Sequence, residues 1–584
     1  MNQKALRGSK TEESELKQTL RHSKDSFVYA GFVSMFINLL MLVPSIYMLQ
    51  LYDRVLASRS EYTLLMLTVI TVALFAMLGS LELVRSRILV RVGNKIDSEL
   101  SPRIFNAMFS MANKYPGKAS AQPLNDLTQI RQFMTGTPLF AFFDAPWMPI
   151  YIALLFVFDV YFGVFAIFAA LIILSLTVIN DKKTKDELEN ANKVYQSSTS
   201  FVSHSLRNAE VIEAMGMHEN VKKRWMDKYI DFLNKQSRAS DEAGLWSNLS
   251  KTLRMLFQSL ILGLGGWLAI EGHLTPGMMI AGSIIMGRAL APLDLLTGSW
   301  KLFVNARQSY YRLETLLGEF PITKEPTPLP APVGHIMVEN LVVLPPNSQI
   351  PSIKNITMHV PAGEIVAIIG PSAAGKSTLA RTMLGVWKPY SGKVRIDSAE
   401  LDHYNKVDLG KYIGYLPQDI ELFEGTVSEN IARYNEPDPA KVVEAAKVAG
   451  VHEMILQLPQ GYDTPIGVGG ATLSGGQRQR IGLARALYDY PKIIVLDEPN
   501  SNLDDLGEQA LVNAIIHLKK KGSTVVLITH RPAILNITDR IALLVEGTLK
   551  MYGPSADVIA ALAPKPAPQA LTAEQQPNNG KGAI

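Results

Sequence analysis

No cysteine occurs among the 584 residues. That absence excludes disulfides, thiolate-ligated zinc, iron–sulfur clusters and any thiol nucleophile. Charge is also scarce, at 19% Asp, Glu, Lys and Arg, against about 25% in an ordinary soluble domain. The net charge is only +4, too small to argue for a nucleic-acid partner. Hydrophobic residues make up 47% of the chain and mean hydropathy is +0.12. Whole-chain disorder and collagen-like or coiled-coil fibres are excluded. Part of this chain avoids water.

The apolar residues gather in six runs, at 27–49, 64–81, 139–158, 161–179, 253–270 and 278–295. A helix of about 20 apolar residues crosses the ~30 Å hydrocarbon core, so each run is a candidate span. Three carry charge: the third holds Asp144, the fifth begins with Arg254, and the sixth holds Arg288 and Asp294. Lys and Arg in the connections set the orientation. Six precede the first run, eight lie between Arg85 and Arg131, and residues 182–251 are rich in them. The loops around Asp159 and at 271–276 have none. Both termini and the two long connections are therefore expected on the cytoplasmic side.

Residues 1–25 mix both signs of charge and lack an apolar core, so they read as a cytoplasmic tail rather than a signal peptide. The long connections are helix-compatible, because residues 85–111 contain only Pro102 and residues 186–249 contain no proline. Turns are expected at 113–123 and near 215–220, and as the membrane domain's outermost cytoplasmic points they are expected to dock on the domain that follows. The membrane part spans 26–317. A linker at 318–335 then carries Pro321, Pro326, Pro328, Pro330 and Pro332, a density that favours extended chain. From 336 to 561 short β-branched runs alternate with amphipathic segments, the pattern of an α/β domain. Residues 562–584, rich in Pro, Ala, Gln and Gly, are expected to be disordered.

The buried run 365–369 leads into Gly370, Pro371, Ser372, Ala373, Ala374, Gly375, Lys376, Ser377 and Thr378, and then a helical segment. This is a phosphate loop in its strand–loop–helix context. Glycines let backbone amides wrap phosphate oxygens, and the helix N-terminus adds positive partial charge. Lys376 would reach the β/γ-phosphates and Ser377 would take a place on Mg²⁺. A second strand, 493–496, delivers Asp497 and Glu498. Asp497 would hold Mg²⁺, and Glu498 would orient or deprotonate the attacking water. A third, 524–528, leads to His530, a candidate γ-phosphate contact. Gln418 is a candidate Mg²⁺ and water contact.

Leu473-Ser474-Gly475-Gly476-Gln477, followed by Arg478-Gln479-Arg480, resembles the signature of ATP-binding cassette ATPases. The order also fits that family: phosphate loop, Gln418, signature, Asp497-Glu498, Ser501-Asn502-Leu503-Asp504, His530. The resemblance implies two cassettes packed head to tail, with Ser474, Gly475, Gly476 and Gln477 closing on ATP held by the partner. A chain with one cassette must pair, here as a homodimer with two competent sites. One departure stands out. The family usually stacks an aromatic residue on adenine, whereas the corresponding stretch Val342-Val343-Leu344-Pro345-Pro346 has none.

Six spans followed by one cassette resemble an ABC exporter half-transporter. The expected fold is an all-α six-helix transmembrane domain of the type I ABC exporter kind, with long cytoplasmic helical extensions, and then an α/β P-loop ATPase domain. Asp144-Ala145-Pro146-Trp147-Met148-Pro149-Ile150-Tyr151 and Met286-Gly287-Arg288-Ala289-Leu290-Ala291-Pro292 resemble the type I secretion subgroup that exports RTX-type proteases and haem-binding proteins. Glu498-Pro499-Asn500 and Thr529-His530-Arg531-Pro532 also fit. The resemblance implies ATP-driven export from a bacterial inner membrane of an unprocessed polypeptide with a C-terminal signal. It further implies a periplasmic adaptor and an outer-membrane duct as partners, with membrane lipid around the spans. Some relatives carry an N-terminal peptidase-like domain, which the short Cys-free tail does not match. Export of lipid or small molecules is the alternative with the same engine. A soluble cassette acting on nucleic acid is disfavoured by the six runs. Arg288 is expected to face the translocation path or to pair with an acid, Asp144 being one candidate. Trp147 and Tyr151, four residues apart, would share a helical face suited to interfacial anchoring or substrate contact.

Overall fold

A computed structural model describes residues 14–562, except 116, 118, 119, 323–325, 471 and 502. Most of the expected N-terminal tail, and all of the expected disordered C-terminal segment beyond Leu562, lie outside the described residues. So do three positions of the linker and Asn502 of the motif after Glu498. The chain divides near residue 321 into two compact units.

The first unit is helical. Among the described residues six helices are long and apolar enough to cross a membrane: Lys24–Ser58, Glu61–Lys114, Pro138–Phe158, Val160–Arg207, His218–Ile270 and Pro276–Gly298. Each contains one of the six apolar runs. The second, fourth and fifth continue far beyond them, to 54, 48 and 53 residues. At 1.5 Å per residue the longest reaches about 80 Å, against ~30 Å of hydrocarbon. Pro102 sits inside the second helix without ending it. The carbonyl it leaves unbonded belongs to Ser98, which is exposed, so water can satisfy it. The turn between the fourth and fifth helices runs through Gly216 at φ +61, a conformation that glycine adopts without a Cβ clash.

Pairing explains the charges in the spans. Arg85 and Asp144, both buried, form an ion pair at 3.1 Å. Asn38 donates to Asp144 at 2.8 Å, and the Arg85 guanidinium lies 4.3 Å from the Phe140 ring centre. Arg254 pairs with Asp294 at 3.2 Å. Asp144 is thus the partner of Arg85, not of Arg288. Arg288 reaches Met41 Sδ at 3.9 Å and forms no ion pair among the described residues. Tyr151 is buried and donates to Asn38 O at 2.8 Å. Its hydroxyl is consumed by this network, which corrects the expectation of an interfacial or substrate-facing side chain.

The N-terminal segment folds further than its composition suggested. Residues Glu15–His22 form a helix capped by Ser14, with Leu16 buried. Arg103 grips Glu15 through two bonds, at 2.7 and 3.1 Å, and also donates to Phe320 O. The helix Trp300–Glu319 runs two residues into the stretch expected as linker.

The second unit is α/β, with twelve strands among the described residues, numbered in chain order. An antiparallel sheet has the order β2-β1-β4-β5, built from β1 (Ile336–Val343), β2 (Ile353–Val360), β4 (Ser391–Ile396) and β5 (Ala399–Glu400). The central sheet has the order β12-β11-β3-β10-β9-β6. Its members are β3 (Ile365–Ile369), β6 (Ile413–Leu416), β9 (Ile493–Asp497), β10 (Thr524–Ile528), β11 (Arg540–Val545) and β12 (Thr548–Pro554). A small hairpin joins β7 (Gly425–Thr426) to β8 (Pro465–Ile466). Every residue of β3, β9 and β10 is buried. Such continuous apolar runs are what parallel strands covered on both faces require.

Candidate functional site

Parallel register sets the site. Leu416 of β6, Leu496 of β9, Leu527 of β10 and Ala367 of β3 lie side by side across the sheet. Four strands therefore end together: β9 ends on Asp497, and the loops that follow the four carry Gln418, Glu498, His530 and the phosphate loop. Ligands of open α/β sheets bind at that carboxyl edge.

The phosphate loop is shaped by close approach. A Cβ on Gly370, at φ +148, would come within 2.1 Å of Leu544 O, and one on Gly375, at φ +95, within 2.7 Å of Ser352 O. Neither position accepts a side chain. Ala373 also takes a positive φ, +63, which costs an alanine about 1–2 kcal/mol. Pro371, Ser372 and Ala374 complete the turn into the helix Lys376–Met383, whose first residues are Lys376, Ser377 and Thr378. Lys376 Nζ donates to Gly370 O and Pro371 O at 2.8 and 2.9 Å, so the ammonium lies folded over the loop.

Asp497 is 1% exposed, and neither carboxylate oxygen has a hydrogen-bond partner among the described residues. Burial pushes its carboxyl above the ordinary aspartate range. The Ser377 hydroxyl opposes that shift, the Glu498 charge adds to it, and Arg381 and Lys376 oppose it. A buried, unpartnered carboxylate beside a serine hydroxyl is the donor set that a hard divalent cation uses. Next to it, Glu498 adopts φ +48 and accepts from Gln418 Nε2 at 2.9 Å. The structure thus brings Gln418 and Glu498 into contact. His530 is exposed and has no hydrogen-bond partner among the described residues. Its segment is anchored by Thr529, which donates to Asn500 Oδ1 at 3.4 Å and accepts from Arg531 N at 3.2 Å.

The signature opens a helix, Gly475–Leu487. Ser474 Oγ accepts from Gln477 N at 3.2 Å, and Gln477 Oε1 accepts from Ser474 N at 2.8 Å. This capping box occupies the Gln477 side chain, while Gly475 and Gly476 keep the N-terminus open to close approach. Leu344, at the place of the missing aromatic, is half-buried.

Two functional links escaped the motif reading. Gln479, 1% exposed, donates to the carbonyls of Pro499 and Glu498. Arg480 pairs with Asp504 at 3.0 Å, and Asp504 caps the helix Asp505–Lys520. The signature helix thereby holds the backbone on which Glu498 sits. The two residues lie just after the signature, beyond Arg478, but their type alone could not reveal a bond to carbonyls about twenty positions away.

The second unit matches the ABC transporter family over residues 353–501, and the first matches the ABC transporter transmembrane region over residues 27–291. The type I secretion system ATP-binding protein PrsD of Rhizobium meliloti (strain 1021) is 42% identical over 94% of this chain and 95% of its own length. This chain belongs to the ABC transporter family. The ABC transporter is also 28% identical to the toxin RTX-I translocation ATP-binding protein of Actinobacillus pleuropneumoniae, over 91% of this chain and 76% of the relative. Its fold superposes on a bacterial Atm1-family ABC exporter solved with ATP bound, with a TM-score of 0.78, 22% identity, and coverage of 93% of this chain and 99% of that one. The expected fold class holds. The chain is a multi-pass half-transporter whose ATPase domain binds and hydrolyses ATP.

Proposed function

We propose that this ABC transporter is the inner-membrane engine of a type I secretion system, moving an unprocessed polypeptide with a C-terminal signal out of the cytoplasm. The observation that carries the reading is the 42% identity to PrsD along nearly the whole of both chains, membrane part included. Similarity confined to the cassette would speak only for ATP hydrolysis.

In this reading two copies pair, and ATP lies between the phosphate loop of one and Ser474, Gly475 and Gly476 of the other. Backbone amides of 370–378 and Lys376 bind the phosphates. Mg²⁺ would be held by Ser377, Gln418 and Asp497, where it would offset phosphate charge. The unpartnered oxygens of Asp497 support that assignment. Glu498 takes the proton of the attacking water while Gln418 fixes its carboxylate, and His530 contacts the γ-phosphate. Closure of the cassettes would swing the long helices, and hydrolysis would reset them. A periplasmic adaptor and an outer-membrane duct complete the path.

The test compares proteins in the culture medium, by mass spectrometry, between the native strain and one carrying chromosomal Glu498→Gln. Loss of one or a few proteins with intact C-termini supports the reading. An unchanged medium, with the variant expressed and membrane-bound, would transfer the weight to lipid or small-molecule export.

A further inference from the structure

A cavity of about 270 Å³ lies within the first unit, between the fourth and fifth spanning helices and the junction of the sixth with Trp300–Glu319. The fifth helix faces it with Ala239, Ser240, Ala243, Gly244 and Ser247. These side chains are too small to fill the space. On the opposite wall stands Asn180, 1% exposed, whose Oδ1 has no hydrogen-bond partner among the described residues. A buried unpaired amide oxygen is destabilising. Three nearby donors are already used, since Thr177 and Thr297 bond each other at 2.7 Å and Trp300 Nε1 is committed to Asp181 at 2.9 Å.

The depth of the cavity narrows what could enter. Asn180 follows the apolar run 161–179 directly, Thr297 stands two residues past the run 278–295, and Ser247 stands six residues before the run 253–270. The upper rim of the cavity therefore lies next to the ends of the apolar runs, and its deeper wall, at Leu188, Ala239 and Ser240, extends beyond them. Lys301, exposed to solvent, is among the lining residues. A lysine at the cytoplasmic surface attracts lipid phosphate.

We infer that the cavity is a resident site for one cytoplasmic-leaflet phospholipid headgroup, a phosphodiester that also carries a hydroxyl or ammonium donor. The phosphate would meet Lys301 and the serine hydroxyls. The donor would meet the Asn180 amide, which offers both an acceptor and N–H groups. Acyl chains would leave along the apolar faces of the spans. Phosphatidylethanolamine and phosphatidylglycerol meet this requirement. Phosphatidylcholine has the phosphate and the depth but no donor hydrogen. This site is separate from the ATP chemistry and from the identity of the cargo, so its failure would leave the proposed function standing.

The full-length protein would be reconstituted in bilayers containing equal amounts of the three lipids, extracted, and its retained lipid counted by native mass spectrometry. About one ethanolamine or glycerol lipid per chain, favoured at least tenfold over the choline lipid, is expected. Asn180→Leu should lower retention about tenfold. Gly244→Phe should abolish it, since a Cβ at Gly244 meets nothing within 4 Å and the ring can enter the cavity. Gly244→Ala should retain the lipid and serves as the folding control. Equal retention of the choline lipid would overturn the inference, as would retention unchanged in both Asn180→Leu and Gly244→Phe. Displacement by millimolar glycerophosphoethanolamine would reassign the site to a soluble headgroup and overturn the lipid as its occupant.

Discussion

Gln418 Nε2 donates to Glu498 Oε2 at 2.9 Å across a sequence separation of 80 residues. The contact follows from the pairing of β6 with β9, which aligns Leu416 with Leu496 and leaves both side chains at the same sheet edge. A carboxylate held by one directed amide donor keeps its other oxygen for water.

Glu498→Gln is expected to retain ATP binding and to lose roughly 10²–10⁴-fold in turnover, the usual contribution of a general base. Gln418→Ala alone should lower kcat by a smaller factor. Because the two groups share a hydrogen bond, the double variant should fall little below Glu498→Gln. Steady-state ATPase assays with a nucleotide-binding control decide this. Multiplied losses would show that Gln418 and Glu498 act separately.

Gln479 offers a test of the tie between signature helix and catalytic strand. Gln479→Leu keeps the volume but leaves the carbonyls of Glu498 and Pro499 without that donor. A loss of about 1–3 kcal/mol is expected in urea unfolding. In ATPase assays kcat should fall while KM for ATP changes little, because the phosphate loop is untouched. A raised KM with normal kcat would contradict the positioning role.

In the membrane unit the Arg85–Asp144 pair yields a contrast between single and double variants. Removing one partner of a buried pair strands the other charge and typically costs about 3–5 kcal/mol. Asp144→Ala or Arg85→Ala should therefore lower the thermal midpoint in detergent sharply. Arg85→Met with Asp144→Leu should recover most of the loss. A double variant as unstable as either single one would mean that Asn38 and Tyr151 depend on the charges themselves.

Much of this architecture was legible because the physics is local. Six apolar runs, and the strands 365–369, 493–496 and 524–528 with their motifs, announce themselves through composition and spacing. The pairing of charges was not legible. Asp144 faces Arg85, 59 positions upstream, and only the packing of spans chooses it over Arg288. Likewise nothing in the composition of residues 14–22 reveals that Arg103 will clamp Glu15. At Ala373 the motif shows the loop but not that a non-glycine residue must adopt φ +63.

The pH dependence of the cassette should carry the mark of Asp497. Its carboxyl is raised by burial, so between the ordinary aspartate range and the raised value the folded state binds more protons than the unfolded one. Stability then falls as pH rises through that window, and above it the cost of a buried carboxylate is fully present. Asp497→Asn removes the charge and keeps the shape. In the absence of nucleotide and metal it should raise the thermal midpoint of the full-length protein at pH 7–8, by about 1–3 kcal/mol of stability, and the gain should shrink at acid pH. The same variant should lose Mg²⁺-dependent hydrolysis, since the oxygens that made the site costly are those a cation would use. Thermal unfolding at pH 5 and pH 8, with and without MgATP, separates the two effects. If MgATP stabilised Asp497→Asn as much as the unaltered chain, Asp497 would have no part in holding the metal.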